Sequence, residues 1–222
     1  MAFQYFFSTH QSNALCSEWL LFIRSRFRPR RSYSIAPEGS ALIVVDMQIY
    51  FCKPEGRAFL PSATIALENV LTLAELFRSK NLPIFFTRHG HEGPSDTGML
   101  GRFWSDFIHA DEPQSALCPE LKAAGESVIR KNTYDAFLGT DLHQRLQDCH
   151  VERLFFCGVM TNLCVETSAR SSFCRGYEPH IIVDATATSS EELHKNSLLA
   201  LASGFADLHT TSEIEEAWKL RF

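Results

Sequence analysis

The stretch "RLFFCGVMTNLCVETSARSSFCRG", Arg153–Gly176, decides the fold. Its first seven residues form a short run of apolar and β-prone side chains. From about Asn162 to Arg175 apolar residues recur at helical spacing, and Gly176 stands where a helix end favours glycine. A strand therefore runs almost directly into a helix, with Cys164 at the seam. Three roles are open to a thiol there: a small packing residue, a metal ligand, or a nucleophile held at a helix N-terminus.

The same unit repeats outward along the chain. "ALIVVD" (41–46), "PIFFTR" (83–88), "ESVIRK" (126–131), "HIIVD" (180–184) and "FADLHTT" (205–211) read as further strands. Between them, "SATIALENVLTLAELFRSK" (62–80, Ser62 as N-cap after Pro61), "GTDLHQRLQDC" (139–149) and "SSEELHKNSLLALAS" (189–203) read as helices. Strands that are apolar throughout and alternate with helices predict an α/β fold, a three-layer αβα sandwich around a six-stranded, mostly parallel sheet. Right-handed crossovers then bring every strand's carboxyl end to one edge. The stretch from His89 to about Gly125 breaks the rhythm, and an insertion of that length usually carries function.

Ligands of such folds bind outside the carboxyl ends of the strands. The residues expected on that rim are Asp46, Arg88, His89, His91, Lys131, Thr161, Cys164 and Asp184. An acid, a lysine and a cysteine together are the parts of a thiol nucleophile with its base and a nearby cation. Taken singly, Asp46 is equally a capping acid, Lys131 a solvated charge and Cys164 a packed core thiol. With Thr161 as N-cap, Cys164 falls at N3, where free N–H groups and the helix dipole favour thiolate.

Composition sets the outer limits. The 222 residues, 45% hydrophobic and 21% charged, suit one domain with a substantial core. The net charge of −5 argues against a nucleic-acid surface. Residues 1–36 hold Arg24, Arg26, Arg28, Arg30 and Arg31 against Glu18, a balance of +4 that leaves −9 for the rest. This Arg-rich segment, with an amphipathic stretch at "SEWLLFIRSRF", reads either as an organellar targeting segment or as an N-terminal arm packed on the body or a partner subunit. "ALCSEWLLFI" is too short to span a bilayer and carries Glu18, so no membrane association is expected. With no secretory pattern, the cytoplasm is the expected location. Seven scattered cysteines without a CxxC pair speak against a disulfide framework or a Cys-rich zinc site.

The motifs "ALIVVDMQ", "VIRKNTYDAFLGTDL", "GVMTNLCVETSARSSFCRGY" and "VDATAT" resemble those of the isochorismatase-like cysteine hydrolase superfamily, which includes nicotinamidases, N-carbamoylsarcosine amidases and ureidoacrylate amidohydrolases. The likeness runs from about Ala41 to about Phe205, within a hydrolase domain drawn at 37–222. It implies a catalytic triad of Asp46, Lys131 and Cys164, a cis peptide between Val159 and Met160, and an oxyanion hole made by the amides of Met160 and Cys164. Phe51 matches a position that faces the substrate ring in nicotinamidases, and His91, Trp104, Tyr134 and Phe137 are further substrate-binding candidates. The implied activity is hydrolysis of a small carboxamide C–N bond through a thioester. The alternatives are an isochorismatase-type vinyl-ether hydrolase, in several of which glycine replaces the cysteine, and a catalytically idle binding member. Family habit further implies a homo-oligomer, dimer or tetramer.

Many nicotinamidases also hold a metal through an Asp-x-His pair and a later His. Here His89 stands where the Asp would be, His91 matches the first His, and Thr97 falls near the later one. No metal and no other cofactor are therefore expected.

Overall fold

The computed structural model describes residues 12–27, 33–123 and 125–219. Six strands, β1 (Ser40–Val45), β2 (Ile84–His89), β3 (Ser127–Lys131), β4 (Arg153–Val159), β5 (Glu178–Ala187) and β6 (Asp207–His209), form one sheet in the order β3-β2-β1-β4-β5-β6. Every pairing in it is parallel, where the sequence pattern allowed an antiparallel exception. Alternation across the pleat sends Ala41, Ile43 and Val45 of β1 into one apolar cluster and Leu42 and Val44 into the other. Both faces are covered, which is why the strands read as continuous apolar runs.

Helices α1 (Ser12–Arg26), α5 (Leu142–Asp148), α6 (Glu166–Cys174) and α7 (Glu191–Gly204) contribute to the first cluster. Helices α2 (Ile49–Cys52), α3 (Pro61–Ser79) and α8 (Thr211–Lys219) contribute to the second, and α4 (Gly98–Phe103) lies in the insertion. In α1 the buried residues Cys16, Trp19, Leu20 and Ile23 sit at i, i+3, i+4 and i+7, the spacing of one helix face. The packed part of the chain thus begins before residue 37. The basic residues Arg28, Arg30 and Arg31 lie outside the described residues.

Three local expectations are corrected. Leu60, not Ser62, is the N-cap of α3; Pro61 takes the first helical position, where its missing N–H is no loss, and Ser62 Oγ donates to the Thr188 carbonyl at 2.8 Å. β5 continues three residues past Asp184, so this acid is off the rim. It accepts from the Thr211 N–H and hydroxyl at 2.9 Å each, capping α8, and burial raises its pKa to about 6. The sequence reading also stopped short of α8, whose buried Thr211, Ile214 and Trp218 mark one face of a largely polar helix.

The chain winds outward from β1 to β3 in one direction and from β4 to β6 in the other. The reversal lies between β1 and β4, and a crevice outside their carboxyl ends is where such sheets bind ligands.

Candidate active site

Asp46 follows directly on β1 with φ 48°, a left-handed conformation that non-glycine residues seldom adopt. Gly158, near the end of the neighbouring β4, has φ 103°, and a Cβ there would overlap the Val45 backbone. Only glycine lets the two strand ends approach this closely. β4 then passes through the cis Val159–Met160 peptide into a π-turn, Thr161–Val165, that leads into α6. The Leu163 and Val165 amides both donate to the Met160 carbonyl, at 3.0 and 3.2 Å.

Lys131, the last residue of β3, crosses beneath the rim to join the two strand ends. Its Nζ lies 2.6 Å from Asp46 Oδ2, donates to Cys164 Sγ at 3.4 Å, and donates to the Thr133 carbonyl at 3.0 Å. The Thr87 hydroxyl of β2 donates to Asp46 Oδ1 at 2.6 Å. All four side chains are buried. Burial pushes the Asp46 carboxyl up, but the Lys131 ammonium, His89 and the Lys131 and Thr87 hydrogen bonds outweigh it and hold the group below its usual range. Burial likewise pulls Lys131 down, and Asp46 and Cys164 more than restore it. The pair is therefore ionised.

The thiol behaves differently. Burial pushes Cys164 up to about 12; Lys131 pulls against the shift, while the Asp46 charge and its hydrogen bond with the thiol add to it. The resting group is a thiol beside a carboxylate, contrary to the thiolate expected from the helix position. The expected cap geometry is absent as well. The turn before α6 is π, its N-cap is Met160, and Thr161 is its first residue rather than a cap. The Thr161 hydroxyl instead pairs with His194 Nδ1 of α7 at 2.9 Å.

Thr87 and Gln48 complete this arrangement, although the motif reading had singled out neither. Gln48 Nε2 donates to the His89 and Ser115 carbonyls at 2.8 and 2.7 Å, and its Oε1 accepts from the His89 amide. It thereby ties the end of β2 to the insertion. A polar residue directly after the apolar run "PIFF", within a strand otherwise buried up to that point, was the signal for Thr87.

His89 and His91 place their Nε2 atoms 3.1 Å apart. Burial and the Lys131 charge lower His89 to about 3, so that ring is neutral at ordinary pH. His91 Nδ1 turns to the Asp96 carbonyl at 3.2 Å, and the Thr97 hydroxyl donates to the Pro94 carbonyl. Two facing nitrogens are thus the whole donor set here, and among the described residues no His, Cys, Asp or Glu joins them as a third ligand. A zinc-class site needs at least three protein ligands, so the set does not fit one.

The aromatic candidates divide. Trp104 Nε1 donates to the Tyr134 hydroxyl at 2.6 Å, and Tyr134 lies within electrostatic reach of Cys164 and Lys131. Trp104 remains half exposed, so this pair borders the site on the solvent side. Phe51 is partly buried, edge-on to Tyr50, against the cluster that also contacts Met160. Phe137 is buried, stacks on Tyr177 at 6.2 Å, and lies under the Arg175 guanidinium.

Residues 40–213, most of the chain, match the model of the isochorismatase domain. The chain belongs to the isochorismatase family. It is 40% identical over 173 residues to Nicotinamidase 3 of Arabidopsis thaliana, covering 76% of this chain and 83% of that one. The crystal structure of a cysteine hydrolase from Pseudomonas syringae superimposes with a TM-score of 0.80 at 27% identity, covering 86% and 99% of the two chains. N-carbamoylsarcosine amidase from Thermoplasma acidophilum superimposes with a TM-score of 0.70 at 27% identity, covering 79% and 98%.

Proposed function

We propose that this isochorismatase-family chain is a cysteine-dependent amidohydrolase that cleaves the C–N bond of a small carboxamide, nicotinamide or an open-chain ureido amide. The observation that carries the reading is the buried triangle in which one ammonium touches both the Asp46 carboxylate and the Cys164 sulfur. The likeness to Nicotinamidase 3 and to N-carbamoylsarcosine amidase supports the choice of amide over other substrates of the family.

In the proposed mechanism Asp46 takes the Cys164 proton as sulfur attacks the carbonyl carbon. Deprotonation is unfavourable at rest and becomes favourable when the negative charge passes to the substrate oxygen. The Met160 and Cys164 amides receive that oxyanion, a contribution on the order of 10²–10³ in rate per donor in other enzymes. Lys131 stays charged, holding Asp46 in place and stabilising the sulfur as it ionises. Protonated Asp46 then gives its proton to the departing ammonia or amine, leaving a thioester on Cys164. A water that loses its proton to Asp46 releases the acid and restores the thiol.

Ammonia release from a panel of small amides, run beside Cys164→Ala, tests this. The wild type turns over at least one member, and the variant loses on the order of 10⁴-fold or more in kcat. Retained activity in the variant, pyruvate formation from isochorismate without amide turnover, or no turnover at all would each overturn the reading.

A further inference from the structure

A second group of metal-ligating side chains lies at the other end of the sheet. His180, Asp207 and His209 each present a ligand atom, and these atoms lie within 4.8 Å of one another. The pairing places them together: His180 is registered with Asp207, and Ile182 with His209, so all three side chains share one face of the β5–β6 edge. His180 is fully buried and stacked on Phe155 at 4.5 Å, while Asp207 and His209 are partly open to solvent.

His180 Nδ1 and His209 Nε2 face each other at 3.1 Å. His180 Nε2, on the outer side of that ring, is buried without a hydrogen bond of good geometry. On the other ring, His209 Nδ1 lies 4.0 Å from Glu213 Oε2. A cation seated between the two inner nitrogens would take a lone pair from each.

A carboxylate behind the outer nitrogen of a histidine ligand, as Glu213 stands behind His209, is a usual second-shell arrangement. Two nitrogens at ~2.0–2.1 Å from one tetrahedral ion are separated by roughly 3.3 Å, close to the spacing seen. Asp207 adds a carboxylate whose Oδ2 accepts the Tyr33 amide at 2.7 Å, an outer bond that orients it. The nearby cations are already matched: Arg24 forks onto Glu213, and Arg153 pairs with Glu152 and Glu178.

We propose that His180, Asp207 and His209 bind one divalent transition-metal ion of the zinc class, which fastens the segment at Tyr33–Ser34 to the β5–β6 edge. The ion is structural, because the cluster lies in the amino-terminal half of β5 and on β6, while Asp46 and Cys164 lie beyond the carboxyl ends of β1 and β4. Water completes the coordination on the solvent side.

Cobalt(II) titration of the full chain, stripped beforehand with chelator, tests the proposal. The visible d–d absorption of an N/O-ligated ion should saturate at one ion per chain. His209→Ala and Asp207→Asn should each weaken uptake by at least about 10-fold, the scale seen when metal-site contacts are lost, while His91→Ala leaves it intact. Zinc should raise the melting temperature of the wild type and not that of His209→Ala. Asp207→Asn keeps an acceptor for the Tyr33 amide, so it reports on metal binding even if His209→Ala folds poorly. No stoichiometric uptake by the wild type, uptake unchanged in both variants, or uptake abolished by His91→Ala would overturn it.

Discussion

Two pairs of imidazoles occupy opposite ends of this sheet with the same spacing, 3.1 Å between ring nitrogens, and their surroundings give them different chemistry. At the carboxyl end, His89 lies beside the Lys131 ammonium, which together with burial keeps the ring neutral and disfavours a further cation. At the other end, His180 and His209 have Asp207 beside them and Glu213 behind, with the neighbouring arginines already paired. A pair of histidines therefore says little until the charges facing it are counted. The rim is organised around a fixed buried cation and a reactive sulfur, and the far edge around two imidazoles and a carboxylate.

The contrast can be broken most forcefully at Lys131. Lys131→Met strands the Asp46 carboxylate in the interior and should cost about 3–5 kcal/mol in a urea titration, with amide hydrolysis lost. Adding Asp46→Asn should restore part of the stability and none of the activity, because coupled sites do not add. The sign for acid follows. Asp46 is held below its usual range, so its stabilising contribution is present above the unfolded carboxyl pKa and disappears as pH falls through the lower folded value. The double variant should lack that acid-sensitive step.

Glycines sharpen the same contrast at smaller scale. Gly158→Ala forces a side chain into φ 103° against Val45 and should lower stability by at least about 1–3 kcal/mol. Gly204, the last residue of α7, has open space where a Cβ would go, and Gly204→Ala should stabilise by up to about 1 kcal/mol. Equal effects in thermal melts would remove the claim that strand approach at the rim demands glycine.

Thiol reactivity reads the rim directly. With Cys164 pushed up to about 12, iodoacetamide labelling of the free enzyme should be slow at neutral pH and climb by about tenfold per pH unit above it. A plateau from pH 6 to 8, identified by mapping the labelled residue, would mean a resting thiolate. The smallest effect is expected at the far edge, where His209→Ala should leave amide turnover within about twofold of wild type, since distant independent sites do not couple.

Much of this was legible because it depends on order along the chain. Continuous apolar runs separated by helical spacing reported a sheet covered on both faces, and Asp46, Lys131 and Cys164 each follow or end a strand. What failed depended on neighbours distant in sequence. Thr161 was read as a cap because no local pattern reveals His194, 33 residues on, as its partner. Asp184 looked terminal because the last residues of β5, "ATA", lack the bulk that marks a strand.

By itself, then, the order of residues determined the α/β layering and brought an acid, a lysine and a cysteine to one rim, since strand direction and crossover handedness leave little freedom. Tertiary structure alone decided the protonation of those groups and which histidines keep which company. Proton affinity is set by burial and by charges a few ångströms away, and folding chooses those neighbours from anywhere in the chain.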